Sequence, residues 1–452
     1  MATGYLSHTM STPTNRKKST ISAWVKKTSE GANSTIFGGG DAATDCAFLN
    51  FNTSDKLFLQ SATSDSADWG ITTDAVFRDY SAWYHVVAKI DTTQSTSSDR
   101  VKIYVNGNLQ TVTGSYPSQN YDMQWSRDGE VQLVGKYPST GIYFNGSMAH
   151  VHFTDGYAYD ASTFGETDST SGIWKPKTNP SVTYGTNGFF LKFENSGAMG
   201  TDSSGQSNTF TVGAGTITQN IDTPSNNFAT LNGVYVGGGS STLSNGNLTY
   251  TLSNYSYNTR STLGFTKGKW YWEQKQSDNS TRIGLVTSQF TNDLDTDNVN
   301  AYYGNSGGGG VYLMNSASGT SWQITNNDTS RSVTTYSSAI GASAGDILMG
   351  AVDADAGKLW FGVNGTWMNS GNPAGGTNNQ ITFTNGSPDE LQVYAGFGTS
   401  SSRTVNFNFG SGFFGTTAVA SANADANGFG AFEYAVPSGF YSICTKNIKE
   451  FG

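Results

Sequence analysis

The chain is poor in cysteine, histidine, proline and charge, and these shortages exclude several classes of protein. Its 452 residues include only 2 Cys, 4 His and 9 Pro, and charged residues make up 13%. Cys46 and Cys444 lie near opposite ends, so we expect two unpaired thiols and no disulfide framework. No apolar run reaches the roughly 18 residues that a membrane-spanning helix requires.

The charges that are present are mostly acidic. The net charge is −9, and the one local basic cluster is "NRKK" at 15–18. A nucleic-acid-binding surface needs a basic stripe along one face. We therefore expect neither nucleic acid nor a membrane among the partners.

Turn-forming and aromatic residues are abundant instead. The chain has 55 Gly, and aromatic residues make up 13%. No segment shows the 3.6-residue apolar period of a long amphipathic helix. Many short strands between Gly and Asn turns indicate β-sandwiches, and the length is enough for about two or three domains.

A repeated phrase divides the chain into two similar halves. "VKIYVNGN" (101–108) and "KLWFGVNGTW" (358–367) both place Asn-Gly after a run of strand-forming residues, which predicts a type I′ hairpin. In each half an apolar strand ending in Asp precedes the hairpin, and a strand centred on tryptophan lies further upstream. The upstream strands are "TISAWVKK" (20–27) and "KGKWYWEQKQ" (267–276).

These features predict two all-β domains in tandem. We expect the first sandwich, with its connector and a returning strand, over residues 1–200, and a linker over 201–233. The second sandwich covers 234–452, and we expect its aromatic C-terminal tail to pack on a domain. The N-terminus has no apolar h-region of a secretory signal. A surface-type composition without a signal fits a virus particle component that is made in the bacterial cytoplasm and released by lysis.

Several motifs resemble known families. "WYHVVAKID", "DRVKIYVNGNLQ" and "FNGSMAHVHFTDG" are similar to laminin-G-type, concanavalin A-like jelly rolls. "GKWYWEQK", "GDILMGAVDADAGKLWFGVNGTW" and "VNFNFG" resemble a SPRY domain, also a concanavalin A-like sandwich. "STFGETDSTSGIWKPK" and "PSGFYSICTKNI" are similar to segments of virion proteins of tailed bacteriophages. The resemblance implies an all-β chain with two concanavalin A-like antiparallel β-sandwich (jelly-roll) domains in tandem.

The carboxylates do not predict an enzyme. Retaining glycosidases need two carboxyl groups about 5–5.5 Å apart, and jelly-roll glucanases place them in an E-x-D-x-x-E arrangement. No two glutamates here lie within five positions of each other. Mixed pairs such as Glu166 and Asp168 lie in turn-like stretches. We expect no catalytic residues.

Two patterns raise the question of a metal. Asp293, Asp295 and Asp297 in "NDLDTDN" offer hard oxygen ligands that suit calcium, although an acidic surface loop would look the same. We expect no cofactor other than this calcium. His150 and His152 share one face of a strand, so they either chelate a metal or lie together on the solvent face.

Aromatic residues outside the strand patterns are the main candidates for binding. Sugar rings present apolar C–H faces that stack on aromatic rings, and loops carry such contacts. Strand patterns place five tryptophans in the core, namely Trp24, Trp83, Trp270, Trp272 and Trp360. The candidates for contact with glycan or protein are Trp69, Trp125, Tyr302, Tyr303, Trp322 and Trp367.

We therefore expect a non-enzymatic structural and adhesive protein on the surface of a tailed phage particle, either a tail fibre or spike or a capsid decoration protein. Its expected partners are other virion proteins, further copies of itself and host-surface glycans. A bacterial surface lectin or adhesin is the main alternative. A pure protein-binding module and a glycoside hydrolase are two others.

Overall fold

The computed structural model describes residues 3–41, 44–139, 141–169, 172–235, 241–252, 258–277, 281–287, 311–317, 321–326, 334–336, 343–383, 390–397 and 402–452. The chain forms two compact units, Met1–Gln219 and Asn220–Gly452. Both units are built from antiparallel β-sheets, as the sequence predicts. No helix among the described residues is long and apolar enough to cross a membrane.

The described strands of the first unit are short and regularly spaced. They are β1 (Tyr5–Thr9), β2 (Lys18–Lys27), β3 (Ser34–Gly40), β4 (Cys46–Phe51), β5 (Leu57–Thr63), β6 (Ser66–Thr73), β7 (Tyr84–Asp91), β8 (Val101–Val105), β9 (Asn108–Leu109), β10 (Val112–Ser115), β11 (Val131–Val134), β12 (Gly146–Asp155), β13 (Gly165–Thr167), β14 (Trp174–Pro176), β15 (Phe189–Leu191) and β16 (Thr211–Ala214). Short 3₁₀ turns lie at Ser97–Asp99, Gln124–Ser126 and Ala161–Thr163.

Two sheets of the first unit enclose its core. Within the described residues, one sheet has the order β10-β6-β5-β4-β3-β11-β1-β16 and the other β15-β12-β2-β7-β8-β9. The alternation of strand side chains places residues such as Ile21, Leu49, Leu59, Val86 and Phe153 between them, all buried. Strand β15 pairs with β12 and buries Phe189 and Leu191 in this core.

The second unit repeats the plan. Its described strands are β17 (Thr242–Ser244), β18 (Thr249–Leu252), β19 (Asn258–Arg260), β20 (Lys269–Gln276), β21 (Thr281–Thr287), β22 (Val311–Ala317), β23 (Ser321–Asn326), β24 (Thr334–Tyr336), β25 (Ile347–Asp353), β26 (Lys358–Val363), β27 (Thr366–Trp367), β28 (Ile381–Thr382), β29 (Leu391–Phe397), β30 (Arg403–Asn408), β31 (Phe413–Phe414), β32 (Thr417–Ala418) and β33 (Tyr441–Ser442). Its helical segments are 3₁₀ turns at Gly233–Tyr235 and Met368–Ser370 and the helix α1 (Thr445–Phe451).

Two sheets also form the sandwich of the second unit. In the described part, one follows the order β17-β18-β30-β20-β25-β26-β27, with β28 beside β26 and β33 parallel to β20. The other follows β19-β29-β21-β22-β23-β24. Trp270 and Trp272 on β20 lie in the core between the sheets, as the strand pattern predicts.

The repeated phrase builds the same turn twice. Asn106 and Gly107 have φ of 48° and 81°, and Asn364 and Gly365 have φ of 47° and 82°, as a type I′ turn requires. The Asn106 side chain accepts a hydrogen bond from the backbone N–H of His85 at 2.8 Å. Asn364 accepts the equivalent bond from Ile347 at 2.9 Å. Each hairpin asparagine therefore ties the turn to the start of the preceding strand.

The segment expected to be a linker, 201–233, is divided between the two units instead. Phe210 is 3% exposed, and β16 adds an edge strand beside β1. From Asn220 onward the chain packs in the second unit, where Phe228 bridges Cys444 and Leu231 is buried. The segment was predicted to be a linker because most of its residues are polar or turn-forming. A few apolar residues within it are nevertheless buried, and they hold its two parts on the two units.

A further layer covers the outer face of the β2–β7–β8 sheet in the first unit. The Trp174 indole N–H donates to His85 Nδ1 at 3.0 Å. An indole can only donate, so His85 is neutral and its Nε2 proton faces Ser22 Oγ at 2.9 Å. Burial lowers the pKa of His85 to about 3. A Cβ on Gly107 would lie 3.0 Å from the Trp174 ring, so the hairpin glycine leaves room for the ring.

The second unit carries a comparable cover, because its aromatic C-terminal segment packs on the sandwich. Phe432 and Phe440 are fully buried against Tyr271, Met349 and Trp360. A Cβ on Gly365 would lie 2.9 Å from the Tyr434 ring. In both units a distant aromatic residue thus covers the hairpin glycine.

Candidate functional site

Two of the six aromatic candidates prove to be core residues, which corrects the sequence prediction. Trp69 is 1% exposed in β6, and Trp125 is 0% exposed in a 3₁₀ turn. The Trp125 ring packs edge-on against Phe37, and its N–H donates to Ser19 Oγ at 3.3 Å. Polar neighbours in sequence had suggested loops, but the ring of each residue points into the sandwich.

Of the other four aromatic candidates, two lie in strands and two lie outside the described residues. Trp367 is partly buried in β27 and lies edge-on to Tyr271 at 6.3 Å between ring centroids. Trp322 lies in strand β23 rather than in a loop. Tyr302 and Tyr303 lie outside the described residues. The aspartates proposed for calcium, Asp293, Asp295 and Asp297, also lie outside them.

His152 does not lie on the solvent face, which corrects the interpretation of an exposed pair, and His150 is partly exposed. His152 is 2% exposed and stacks on Phe190, with 3.9 Å between the ring centroids. Its Nδ1 lies 2.9 Å from the Tyr184 hydroxyl. A β-bulge between Ala149 and His152 interrupts the alternation that the prediction assumed. Burial lowers the pKa of His152 well below its usual value, and the described residues contain no group of three metal-ligating side chains.

Acidic side chains of the first unit, including the Glu166–Asp168 pair, have structural partners. Lys175 Nζ lies 2.9 Å from Asp168 and 3.8 Å from Glu166, so the pair supports the β13–β14 hairpin. The buried Asp55 binds Lys27 at 2.6 Å. Neither arrangement leaves two free carboxyl groups facing each other.

The strongest candidate for a binding surface is a cluster of aromatic rings in the first unit. The rings lie on the outer face of the sheet whose edge strands are β10 and β16. Phe48 and Phe58 alternate along β4 and β5 with the buried core residues Leu49 and Leu59, so they point away from the core. Their rings lie edge-on, 5.7 Å apart. Tyr137 packs on Phe48 at 4.6 Å. We call Tyr5, Phe48, Phe58, Tyr137 and Tyr143 the aromatic face.

The loop between β11 and β12 brings Tyr137 and Tyr143 to this surface. Lys136 and Tyr143 form a β-bridge that closes the loop. A Cβ on Gly38 would lie 2.8 Å from Pro138, so the glycine lets the loop lie flat on the sheet. The Tyr137 hydroxyl stays protonated near neutral pH. Burial, with the nearby Cys46, raises the pKa of Tyr137 to about 12.

Tyr5 extends the surface toward the sheet edge. Its ring lies over Gly213 of β16, where a Cβ would approach to 2.2 Å. Tyr143 lies 6.1 Å away between centroids. The Lys136 ammonium lies over the Tyr5 ring at 4.7 Å from its centroid, a cation–π contact that fixes the ring. Four of the five rings, all but Phe48, are partly accessible to solvent.

Polar groups border the rings. Gln60 lies in the same cross-strand row as Phe48, and the amide of this partly exposed residue has no hydrogen-bond partner among the described residues. Its oxygen can accept and its nitrogen can donate two bonds. Flat apolar rings beside a free amide can bind a ligand that has both C–H faces and hydroxyl groups.

Sequence reasoning missed this surface because it looked for aromatics in loops. The signal was present in "CAFLNF" (46–51) and "LFLQ" (57–60), where strict alternation assigns Phe48 and Phe58 to the face opposite the leucines. The contributions of Tyr5, Tyr137 and Tyr143 depend on a loop folding over the sheet, which no local pattern encodes.

Residues 1–162 match the sequence model of the concanavalin A-like lectin/glucanases superfamily. This agrees with the fold of the first unit and with a lectin-type module that is compatible with adhesion or carbohydrate binding. No curated protein matches the chain.

Solved structures similar to this chain include two SPRY domains and a laminin fragment. The SPRY domain of human HERC1 is 16% identical, covering 39% of this chain and 96% of its own, with a TM-score of 0.28. The TRIM65 PSpry domain is 16% identical, covering 40% and 91%, with a TM-score of 0.28. Domains LG4-5 of the mouse laminin α1 chain are 10% identical, covering 90% and 86%, with a TM-score of 0.29. Scores this low do not establish a shared function.

Proposed function

We propose that this chain is a non-enzymatic adhesive protein on the surface of a tailed bacteriophage particle, where it binds virion partners and host-surface glycans. The aromatic face carries the proposal for glycans. Partly exposed rings of Tyr5, Phe58, Tyr137 and Tyr143 on a rigid sheet, with the free Gln60 amide beside them, suit the alternating apolar and hydroxyl surfaces of a sugar. The phage setting is supported by the sequence resemblance of the connector and the closing segment.

The mode of binding follows from the shape of this surface. An open face on a sheet buries only one side of a sugar, so each contact is weak. Many copies on one particle would raise the overall avidity by orders of magnitude, about 10²–10⁴-fold for linked sites. A rigid sheet also holds the rings in place before the ligand arrives, which reduces the entropy lost on binding.

A glycan array tests the proposed ligand class. The full chain, coupled in many copies to a bead, is applied to an array of bacterial surface polysaccharides with and without calcium. We expect reproducible binding to at least one polysaccharide, at an apparent affinity that falls sharply when single chains replace the beads. Silence of the multivalent protein across the array would contradict glycan recognition.

Immunogold labelling of intact particles tests the proposed location. Antibodies against the chain should label either the tail tip or the capsid surface of phage particles whose genome encodes it. Absence of the chain from purified particles, together with its presence on bacterial envelopes, would contradict the phage proposal and favour a bacterial adhesin.

A further inference from the structure

A buried carboxylate in the second unit is the most unusual group outside the aromatic face. Glu273 lies on β20 and is 0% exposed. It points to the outer side of its sheet, because its neighbours Trp272 and Gln274 on the same strand point the other way. Above it passes the segment 429–440, which we call the strap and which ends before β33.

The strap covers an apolar sheet face. Tyr271, Met349 and Trp360 lie on that face and are at most 1% exposed, because Phe432 and Phe440 of the strap pack on them. This cluster is separate from the core between the two sheets of the unit. If the strap lifted, these apolar side chains would become accessible to a partner.

Glu273 binds the strap through its backbone. Its carboxylate accepts hydrogen bonds from the N–H groups of Glu433 and Tyr434, both at 2.9 Å. Two further donors belong to the sheet, the Tyr271 hydroxyl at 2.9 Å and the Asn408 amide at 3.2 Å. One side chain therefore links the strap to two strands of the sheet.

Among the described residues, no Lys, Arg or His forms an ion pair with Glu273, so no described cation balances this carboxylate. The ionisable groups around it are Tyr271 on its own strand, Lys275 two positions further along, and Glu433 and Tyr434 on the strap. The Glu433 carboxylate itself accepts from the Ala420 N–H at 2.7 Å. Burial raises the pKa of Glu273 to about 7, and the four donors offset only part of that effect.

The site can accommodate both protonation states. The two backbone N–H groups and the Asn408 amide can only donate toward Glu273. The Tyr271 hydroxyl can donate to a carboxylate or rotate to accept a proton from a carboxylic acid. Protonation therefore reverses one hydrogen bond and removes a buried charge, while the three nitrogen donors keep their acceptors.

We propose that Glu273 is a proton-operated latch that holds the strap on the outer face of its sheet when neutral and loosens it when ionised. In the open state Glu273 is exposed and has the ordinary pKa of a glutamate. The closed state binds the proton more tightly, so acid favours the closed strap and ionisation favours opening. Opening should become easier as the pH rises from about 4.5 to about 7 and then level off, by a factor on the order of 10².

Hydrogen exchange of the strap in the full chain measures this equilibrium. Exchange is followed by mass spectrometry between pH 5 and pH 8, with rates corrected for the known pH dependence of unprotected amides. We expect protection of the strap peptides to fall by a factor on the order of 10² across this range. Peptides from β25 and β26 serve as the internal reference for global unfolding and should change much less.

Two variants identify the group responsible. Glu273→Gln cannot ionise, so strap protection should lose its pH dependence. Glu433→Gln is the matched control, because it removes a strap carboxylate but leaves the backbone N–H that binds Glu273, and it should keep the wild-type profile. Strap protection in the wild type that is flat from pH 5 to pH 8, or an unchanged profile in Glu273→Gln, would overturn the proposal. If Glu273→Gln fails to fold, the wild-type and Glu433→Gln profiles still test the proposal. A flat wild-type profile overturns the latch, and a wild-type profile that Glu433→Gln preserves supports it.

Discussion

Replacing Lys27 by methionine should destabilise the first unit severely, because it breaks a buried ion pair. Lys27 Nζ lies 2.6 Å from Asp55, and each side chain is 1% exposed. The ammonium also donates to the Phe77 carbonyl at 3.2 Å and lies over the Phe51 ring. Burial opposes ionisation of Asp55, but the hydrogen bond and charge of Lys27 keep the pKa of this carboxyl below its usual value.

The magnitude follows from what the substitution leaves behind. Methionine fills the volume but leaves Asp55 buried, and the donors that remain to its carboxylate among the described residues are the Gly31 N–H at 3.1 Å and Arg78 at 3.2 Å. Arg78 is 58% exposed and compensates weakly. Removing one partner of a buried pair costs about 3–5 kcal/mol, and a domain of this size melts about 2–4 °C lower per kcal/mol. We therefore expect the melting temperature of the first unit to fall by roughly 10 °C.

Differential scanning calorimetry of the full chain checks this prediction. Lys27→Met and Asp55→Asn should each lower the transition of the first unit and leave that of the second unit in place. The double variant should be far less destabilised than the sum of the two single variants, because no unpaired charge remains. Single variants that cost less than about 1 kcal/mol, or that add without coupling, would refute this account of the pair.

Other predictions concern buried groups and the aromatic face. The neutral, buried His85 and His152 have pKa values below those of histidines in the unfolded chain. The first unit should therefore lose roughly 2–4 kcal/mol of stability as the pH falls from 7 to 5, measured by urea titration. An unchanged urea midpoint would contradict this. Trp174→Phe leaves the His85 acceptor without its donor and should lower the free energy of unfolding by about 1 kcal/mol in the same assay. An unchanged free energy of unfolding would show that the indole hydrogen bond does not contribute to stability. Trp125→Ala should cost about 3–5 kcal/mol of stability, and loss of glycan binding without loss of stability would show that it is a ligand contact after all. Gly213→Ala should displace the Tyr5 ring and weaken glycan binding with little change in melting temperature, and full binding would argue against Tyr5 as a contact.

The sequence was sufficient to predict individual hairpins and strands, but not which distant residues pack on them. Asn-Gly after a strand-forming run was enough to predict both hairpins, because positive φ is a local requirement at Asn106 and Asn364. Alternation around tryptophan likewise predicted β2 and β20. These features depend on neighbouring residues only, so they can be predicted from a short stretch of sequence.

What failed depended on contacts between distant segments. Period-two alternation tells which residues share a face, but not whether a third layer covers that face. His152 is therefore buried beneath Phe190 and Tyr184 rather than exposed. Trp69 looked like a loop residue because its neighbours Asp68 and Gly70 are polar and small, yet it faces the core from β6. The aromatic face arises only when residues 136–139 and 141–143 fold over β3 and β4.

The central claim is that the aromatic face binds sugar, and the most direct test is the affinity of matched variants for the polysaccharide found on the array. Phe58→Ala and Tyr143→Ala each remove one partly exposed ring from the face. Tyr157→Ala removes an exposed tyrosine, 37% accessible, beside the opposite sheet, and serves as the control. If each lost ring contact contributes about 0.5–1.5 kcal/mol, each face variant should weaken monovalent binding about 2–10-fold while the control binds like the wild type. Equal affinity of all four proteins, with melting temperatures unchanged, would contradict the claim.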